Sequence, residues 1–384
     1  MPLLAALLLA SALVDHHQHL LSPAAAPLMN AALPAIELPP DIARLVAARE
    51  ANWNDKAKLA ELYTGDALVL SVRAPGWLRG REAAAAYLST IFKAPFRITP
   101  VRWQNGELSG YLTRSDWHFG YVYLRIADGN IAVEIPTIPG PSRFAPFGGA
   151  ELVKSMDAAG IRRSIVLSNA LFFESAEAVR AENDWTAAEA AKFPDRLVAF
   201  CSFDPLADYA LSEIEHCAGR FAGVKLHFYE SHVDLKNPAH VAKLREVFAA
   251  ANRHRLPLLV HTNGNAEIFA RDLATAAPDV LILVAHLGAA QTISPEALLA
   301  FAAAPNISFE ISGAVDIVKG REELTKIAAA MRRIGMKRFY FGSDGPDYLD
   351  ARELGHVWPQ FRTRMPLTEA EFAVIAKNVA PFLR

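Results

Sequence analysis

Beyond residue 160 the sequence alternates between short runs that are apolar almost throughout and longer segments whose apolar residues recur every three or four positions. The short runs are "RSIVLSN", "RLVAFCSFDP", "AGVKLHFYE", "PLLVHTNG", "DVLILVAHLGA", "NISFEISGA" and "KRFYFGSDGP". They are rich in β-branched and aromatic residues and give way to turn-forming residues, which predicts strands covered on both faces. The longer segments, such as "PAHVAKLREVFAAANRHR" and "REELTKIAAAMRRIG", predict amphipathic helices closed by turn signals. One more run near the start, "LVDHHQHL", brings the strands to eight. Strict alternation of strand and helix predicts a closed parallel (β/α)8 TIM barrel. An open doubly wound sheet is the alternative, but no glycine-rich phosphate loop follows any strand.

Residues 41 to about 135 break that rhythm: a helical opening, "DIARLVAAREANWNDKAKLAELY", is followed by alternating strands and a "DGN" hairpin turn. This reads as a separate α+β domain flanked by the proline-rich stretches "LPAIELPPD" and "PTIPGPSRFAPFGG". The expected organisation is a candidate signal peptide at 1–12, the first barrel strand and a linker at 13–37, the inserted domain at 38–140 and the rest of the barrel at 141–384.

Composition narrows the partners. With 52% hydrophobic residues the chain can fill a core, and 39 basic against 41 acidic residues leave no field to attract nucleic acid or anionic lipid. A small-molecule substrate is the expected partner. Cys201 and Cys217 are too few for a disulfide framework and read as buried thiols. The opening "MPLLAALLLASALVD" carries an apolar stretch, shorter than the ~20 residues of a membrane span, that ends in Ala10-Ser11-Ala12, a cleavage-like triplet. Export after cleavage is the expectation. The absence of Lys and Arg ahead of the apolar run keeps a cytoplasmic location as the alternative.

The candidate chemistry lies where apolar runs turn polar. Side chains alternate along a strand, so Asp15, His17 and His19 share one face, with His17 and His19 Cα atoms about 6.6 Å apart, close enough to converge on one ion. A polar strand end would explain an isolated His-x-His equally well. However, "LLVHTNG" ends in His261, "LILVAHLG" in His286 and "YFGSDGP" in Asp344, each where a strand meets glycine at the expected mouth of the barrel. On "GVKLHFYES" the same alternation puts Lys225 and His227 on one face, and a lysine inside a barrel is costly unless paired or modified. His216, His240 and His254 fall in helical patterns, and His118 and His232 lack ligand spacing; none is assigned a role.

On these residues the chain resembles the amidohydrolase superfamily, in its amidohydrolase-related branch that includes aminocarboxymuconate-semialdehyde decarboxylase. The carriers are Asp15-x-His17-x-His19, "VH" at His261, "AHLG" at His286 and "GSDGP" at Asp344. The resemblance implies one divalent metal held by His17, His19, His261 and Asp344. Zinc is expected, with Mn, Co or Fe as alternatives, and His286 stands beside the ion. In two-metal members a carboxylated lysine from the fourth strand bridges the ions, whereas the single-metal branch leaves Lys225 and His227 as substrate contacts or supports. The inserted domain resembles the cone-shaped fold of polyketide cyclases and nuclear transport factor (SnoaL-like), on "WNDKAKLAELYTGDALVL", "GWLRGREAAAAYL" and "DGNIAVEI". Related cones often pair through their sheets, so a homodimer is compatible.

The implied activity is hydrolysis of an amide, ester or lactone by metal-activated water, with Asp344 moving the proton and His286 steadying the developing oxyanion. Decarboxylation of an unsaturated acid is the alternative within the enzyme class. A catalytically inactive binding protein is the alternative outside it, disfavoured because every expected ligand position is filled.

Overall fold

The computed structural model describes residues 13–29, 35–71, 74, 76–91, 96–114, 117–137, 146–289, 293–318, 320–345 and 354–383. The candidate signal peptide lies outside them. The chain divides into two compact units, Met1–Met29 with Phe144–Arg384, and Asn30–Arg143.

The first unit is built on eight parallel strands: β1 (Leu13–His19), β8 (Ile161–Leu167), β9 (Leu197–Ser202), β10 (Gly223–His227), β11 (Leu258–His261), β12 (Ile282–Val284), β13 (Ile307–Glu310) and β14 (Phe339–Tyr340), neighbours in that order. Backbone bonds beyond the end of β14 join it to β1: His16 N donates to Phe341 O (2.9 Å), Asp344 N to His17 O (2.7 Å) and His19 N to Gly345 O (2.8 Å). The sheet is thereby closed into a barrel.

Helices that follow the strands begin where the sequence supplies caps. The hydroxyls of Ser175, Ser294 and Thr368 and the amide oxygen of Asn237 accept first-turn N–H groups. The outer core lies between strands and helices, whereas Val14, Ile165, Leu167, Phe200, Leu259, Leu283 and Ala285 form a separate inner cluster. Their positions precede the polar residues along the strands, so this inner layer floors the site. Phe200 fits because its β10 neighbour is Gly223, where a Cβ would overlap its ring.

Two expectations are corrected. Cys201, on β9, and Cys217, at the end of helix Ala210–Cys217, form a disulfide; their Cα atoms lie 6.2 Å apart, within bridging range. Their separation of 16 positions along the chain hid this proximity from a count of cysteines. Strand β1 also does not alternate simply: its register shifts between Asp15 and Gln18, which turns the Asp15 carboxylate toward Ser343.

The second unit has a six-stranded sheet. Its strands are β2 (Tyr63–Val69), β3 (Leu78–Arg79), β4 (Arg97–Gln104), β5 (Glu107–Arg114), β6 (Trp117–Ala127) and β7 (Asn130–Thr137), in the order β3-β2-β7-β6-β5-β4. Helices Pro40–Ala51, Lys56–Glu61 and Arg81–Ile91 supply Leu45, Val46, Leu59, Ala84 and Leu88 to a core completed by Ile98, Leu108, Leu112, Val122, Leu124 and Ile131. Within it Arg49 is fully buried. Its Nε donates to Glu134 Oε2 (3.0 Å), its Nη2 to the other oxygen, and Tyr63 Oη donates to Oε2. Among the described residues no helix is long and apolar enough to cross a membrane.

Candidate metal centre

The polar ring begins with β1, where the shifted register leaves His17 buried and His19 nearly so. His17 is held at its back: Nδ1–H donates to Glu310 Oε2 at 2.8 Å, leaving Nε2 facing Asp344 Oδ1 at 3.2 Å. His19 follows the same plan, with Nδ1 3.2 Å from Asn169 Oδ1 and Nε2 3.5 Å from Asp344 Oδ1. His286 completes it: Nδ1 is 3.0 Å from both the carbonyl oxygen and Oγ of Ser312, and Nε2 is 3.8 Å from Asp344 Oδ2. Three imidazoles thus point Nε2 at one carboxylate, each steadied through its other nitrogen.

Asp15 works behind this ring. Its fully buried carboxylate accepts the backbone N–H groups of His17 and Ser343, both at 3.0 Å, and the Ser343 hydroxyl. It therefore ties the first ligand strand to the turn that carries Asp344. Burial pushes Asp15 up to about 7, against the pull of those hydrogen bonds. His17 falls to about 4, by burial first and then Lys225. For Asp344, burial, which would raise the carboxyl, is outweighed by His17 and His286 and by the hydrogen bond from His19, so it stays well below the ordinary range.

Lys225, His227 and His261 line the adjoining arc. Lys225 Nζ is 3.1 Å from His17 Nε2. His227 and His261 are register partners on β10 and β11 with ring centroids 4.0 Å apart, and the His261 ring lies 4.6 Å from that of His286. Burial, then Lys225, takes His227 down to about 2; burial, then His286 and His227, depresses His261 as well. His227 Nδ1 accepts the Glu230 N–H at 3.2 Å, which leaves the ring proton on Nε2. Ser202, level with Lys225 on β9, is buried, and its Oγ has no hydrogen-bond partner among the described residues.

Two sets of three bring their ligand atoms within 4.8 Å of one another among the described residues: His17–His19–Asp344 and His17–His286–Glu310. The first fits a divalent cation by its donor chemistry, because two imidazoles with engaged Nδ1 atoms and an ionised carboxylate are a ligand set used by Zn, Mn, Co and Fe. His261, expected in that set, belongs to neither triad and packs beside His286 and His227.

Glu310, Ser312 and Asn169 carry no sequence assignment, yet they orient the histidines. Only Glu310 had a signal: a carboxylate within the apolar run "NISFEISGA", where an unpaired charge would be expensive. The helical histidines stay outside the ring, His216 beside Asp184 (3.2 Å) and His254 beside Glu215 (3.0 Å).

No curated protein sequence matches the chain. A 5-carboxyvanillate decarboxylase from Sphingomonas paucimobilis is 19% identical over 59% of this chain and 79% of its own, with a TM-score of 0.41. A zinc-bound amidohydrolase from Burkholderia multivorans is 17% identical over 61% and 87%, with a TM-score of 0.44. A candidate ketosteroid isomerase from Kribbella flavida is 18% identical over 26% of this chain and 79% of its own, with a TM-score of 0.21. The amidohydrolase family model matches residues 154–378, from the first barrel helix past Asp344. With that model spanning more than half of its length, the chain belongs to the amidohydrolase family.

Proposed function

We propose that the barrel is a metal-dependent hydrolase that cleaves an amide, ester or lactone in a small molecule. The observation that carries this reading is the convergence of His17 Nε2 and His19 Nε2 on Asp344 at the mouth of the barrel. His17, His19 and Asp344 would hold one divalent cation, zinc by preference, and His261, packed against His286, is the further ligand that the family resemblance implies. A cation there lowers the pKa of a water from 15.7 toward about 7 and polarises a carbonyl oxygen.

The chain's own groups do the rest. Asp344, ionised across the neutral range, accepts the proton of the attacking water and returns it to the leaving group. His286 presents Nε2 to the same carboxylate and, when protonated, donates to oxygen that gains charge. His227 Nε2–H, Lys225 Nζ and Ser202 Oγ form a donor wall on adjacent strands, which favours a substrate with a carboxylate or lactone oxygen. The same wall favours a second reading, non-oxidative decarboxylation of an unsaturated carboxylic acid in the manner of the branch the sequence resembles.

The inserted unit is proposed as a SnoaL-like cone, with pairing into a homodimer through it. The Cys201–Cys217 disulfide supports export to an oxidising compartment, since such bonds are rarely kept in the cytosol. The test is a panel of amides, esters, lactones and unsaturated carboxylates, read for acid and carbon dioxide release with the protein metal-free and reloaded. Turnover restored by metal on a hydrolysable member supports the first reading. Carbon dioxide release alone selects the second, and no metal uptake refutes both.

A further inference from the structure

We infer that Glu310 is a positioning residue that sets the ring tautomer of His17 directly and, by ordering the Ser312 hydroxyl, reinforces that of His286, which the Ser312 carbonyl also holds, so that one buried carboxylate helps to aim two imidazoles at the centre. The inference rests on the metal-centre reading for its consequence but not for its geometry. Glu310 ends β13 and has no exposed surface. Its Oε2 accepts three donors: His17 Nδ1–H (2.8 Å), Ser312 Oγ–H (2.7 Å) and the His286 backbone N–H (3.4 Å). Its Oε1 accepts the Ser312 backbone N–H. Space for it depends on Gly342, where a Cβ would overlap the carboxylate.

The proton assignments follow from the partners. Ionised carboxylates only accept, and His17 meets one at each nitrogen; the shorter contact is to Glu310, and Lys225 Nζ–H reaches Nε2 at 3.1 Å, so the ring proton sits on Nδ1 and the Nε2 lone pair is left toward the centre. The Ser312 hydroxyl spends its proton on Glu310, so toward His286 it can only accept, as the Ser312 carbonyl does. His286 therefore also carries Nδ1–H and turns its Nε2 lone pair to the centre. Glutamine cannot replace Glu310 here. Wherever its NH2 is placed it meets a donor, either the Ser312 amide or the pair formed by His17 Nδ1–H and Ser312 Oγ–H. Relief comes when His17 moves its proton to Nε2, the atom that faces Asp344.

The test uses the full chain as wild type, Glu310→Gln and Ser312→Ala, each stripped of metal. Ring tautomers are read by long-range 1H–15N correlation, with His17 and His286 assigned through single His→Gln variants. Zinc affinity is measured separately by competition with a chromogenic chelator. Wild-type protein should show Nδ1–H on both rings. Glu310→Gln should shift His17 toward Nε2–H and weaken zinc about 10- to 100-fold. Ser312→Ala should leave His17 and most of the zinc affinity unchanged. Nε2–H on His17 in the wild type overturns the inference, as does wild-type zinc affinity in Glu310→Gln or an equal loss in Ser312→Ala. If Glu310→Gln does not fold, the wild-type spectrum decides alone. If wild type binds no zinc, the metal-centre reading fails, while the tautomers still judge Glu310.

Discussion

Replacing Asp15 with asparagine tests whether the clamp behind the metal centre carries a buried charge. The carboxylate has no exposed surface, accepts two backbone N–H groups through Oδ1 and meets the Ser343 hydroxyl through Oδ2. Asparagine keeps the oxygen that serves both N–H groups, and its NH2 faces a hydroxyl that can turn and accept, so the fold should survive. What disappears is titration. The carboxyl stands at about 7 in the folded protein against an ordinary 3.8, with burial as the main cause. A raised folded-state pKa means that the stability linked to the neutral carboxyl is fully present below the unfolded value and is lost as pH rises through about 7. Between about pH 5 and about pH 7 each unit is worth about 1.4 kcal/mol, so wild type should lose about 3 kcal/mol relative to Asp15→Asn. Urea unfolding of both metal-free proteins at about pH 5 and about pH 8 measures the difference, and groups common to both cancel. A gap between the two proteins that stays constant with pH would refute the reasoning.

Three further outcomes are expected. His17→Ala or His19→Ala should empty the centre, since each removes one of two imidazoles from β1; full metal stoichiometry in both, by elemental analysis, would return the pair to a structural role. Asp344→Asn should retain part of the metal while turnover falls by about 10²–10⁴, because the proton acceptor is gone; near-normal turnover on a substrate found by the panel would sink the proposed mechanism. In the inserted unit, Arg49→Met strands a buried carboxylate and should cost about 3–5 kcal/mol in chemical denaturation, part of it recovered by pairing with Glu134→Leu, which leaves the buried Tyr63 hydroxyl without its acceptor. A loss below about 1 kcal/mol would show that Glu134 is neutralised by other means.

What was legible in the sequence is what local chemistry determines. Apolar runs that break at glycine marked strands of the barrel and, at the breaks, His261, His286 and Asp344, while alternation along the first strand marked His17 and His19; His17, His19 and His286 do gather on Asp344. Lys225 and His227 shared a face as alternation required, with Lys225 reaching His17. What escaped was set by distance along the chain. Glu310 meets His17 across 293 positions, Asn169 meets His19 across 150, and Ser343 meets Asp15 across 328. No periodicity records such pairs. The register shift in β1 escaped for a related reason: alternation assumes an unbroken pleat, and the bonds that displace Asp15 come from the far end of the chain.

The turns that carry His286 and Asp344 bear on how firmly the centre is built. Both residues have left-handed backbones, φ 52° and 55°, and Leu287 follows His286 at 55°. Such conformations cost non-glycine residues about 1–3 kcal/mol each and persist only where the surroundings fix them. Here the fixing contacts are known. Asp344 N donates to His17 O at 2.7 Å, and the preceding Ser343 N to Asp15; His286 N reaches Glu310, and its ring reaches Ser312. The groups that hold the two strained turns are thus the groups that orient His17, and each anchors to β1 or β13 of the barrel wall. A side chain on a relaxed loop could reach the same points only at the expense of conformational freedom at every turnover. Held in this way, Asp344 and His286 keep their separation from His17 and His19 before substrate arrives, which is the condition under which proximity contributes most to rate.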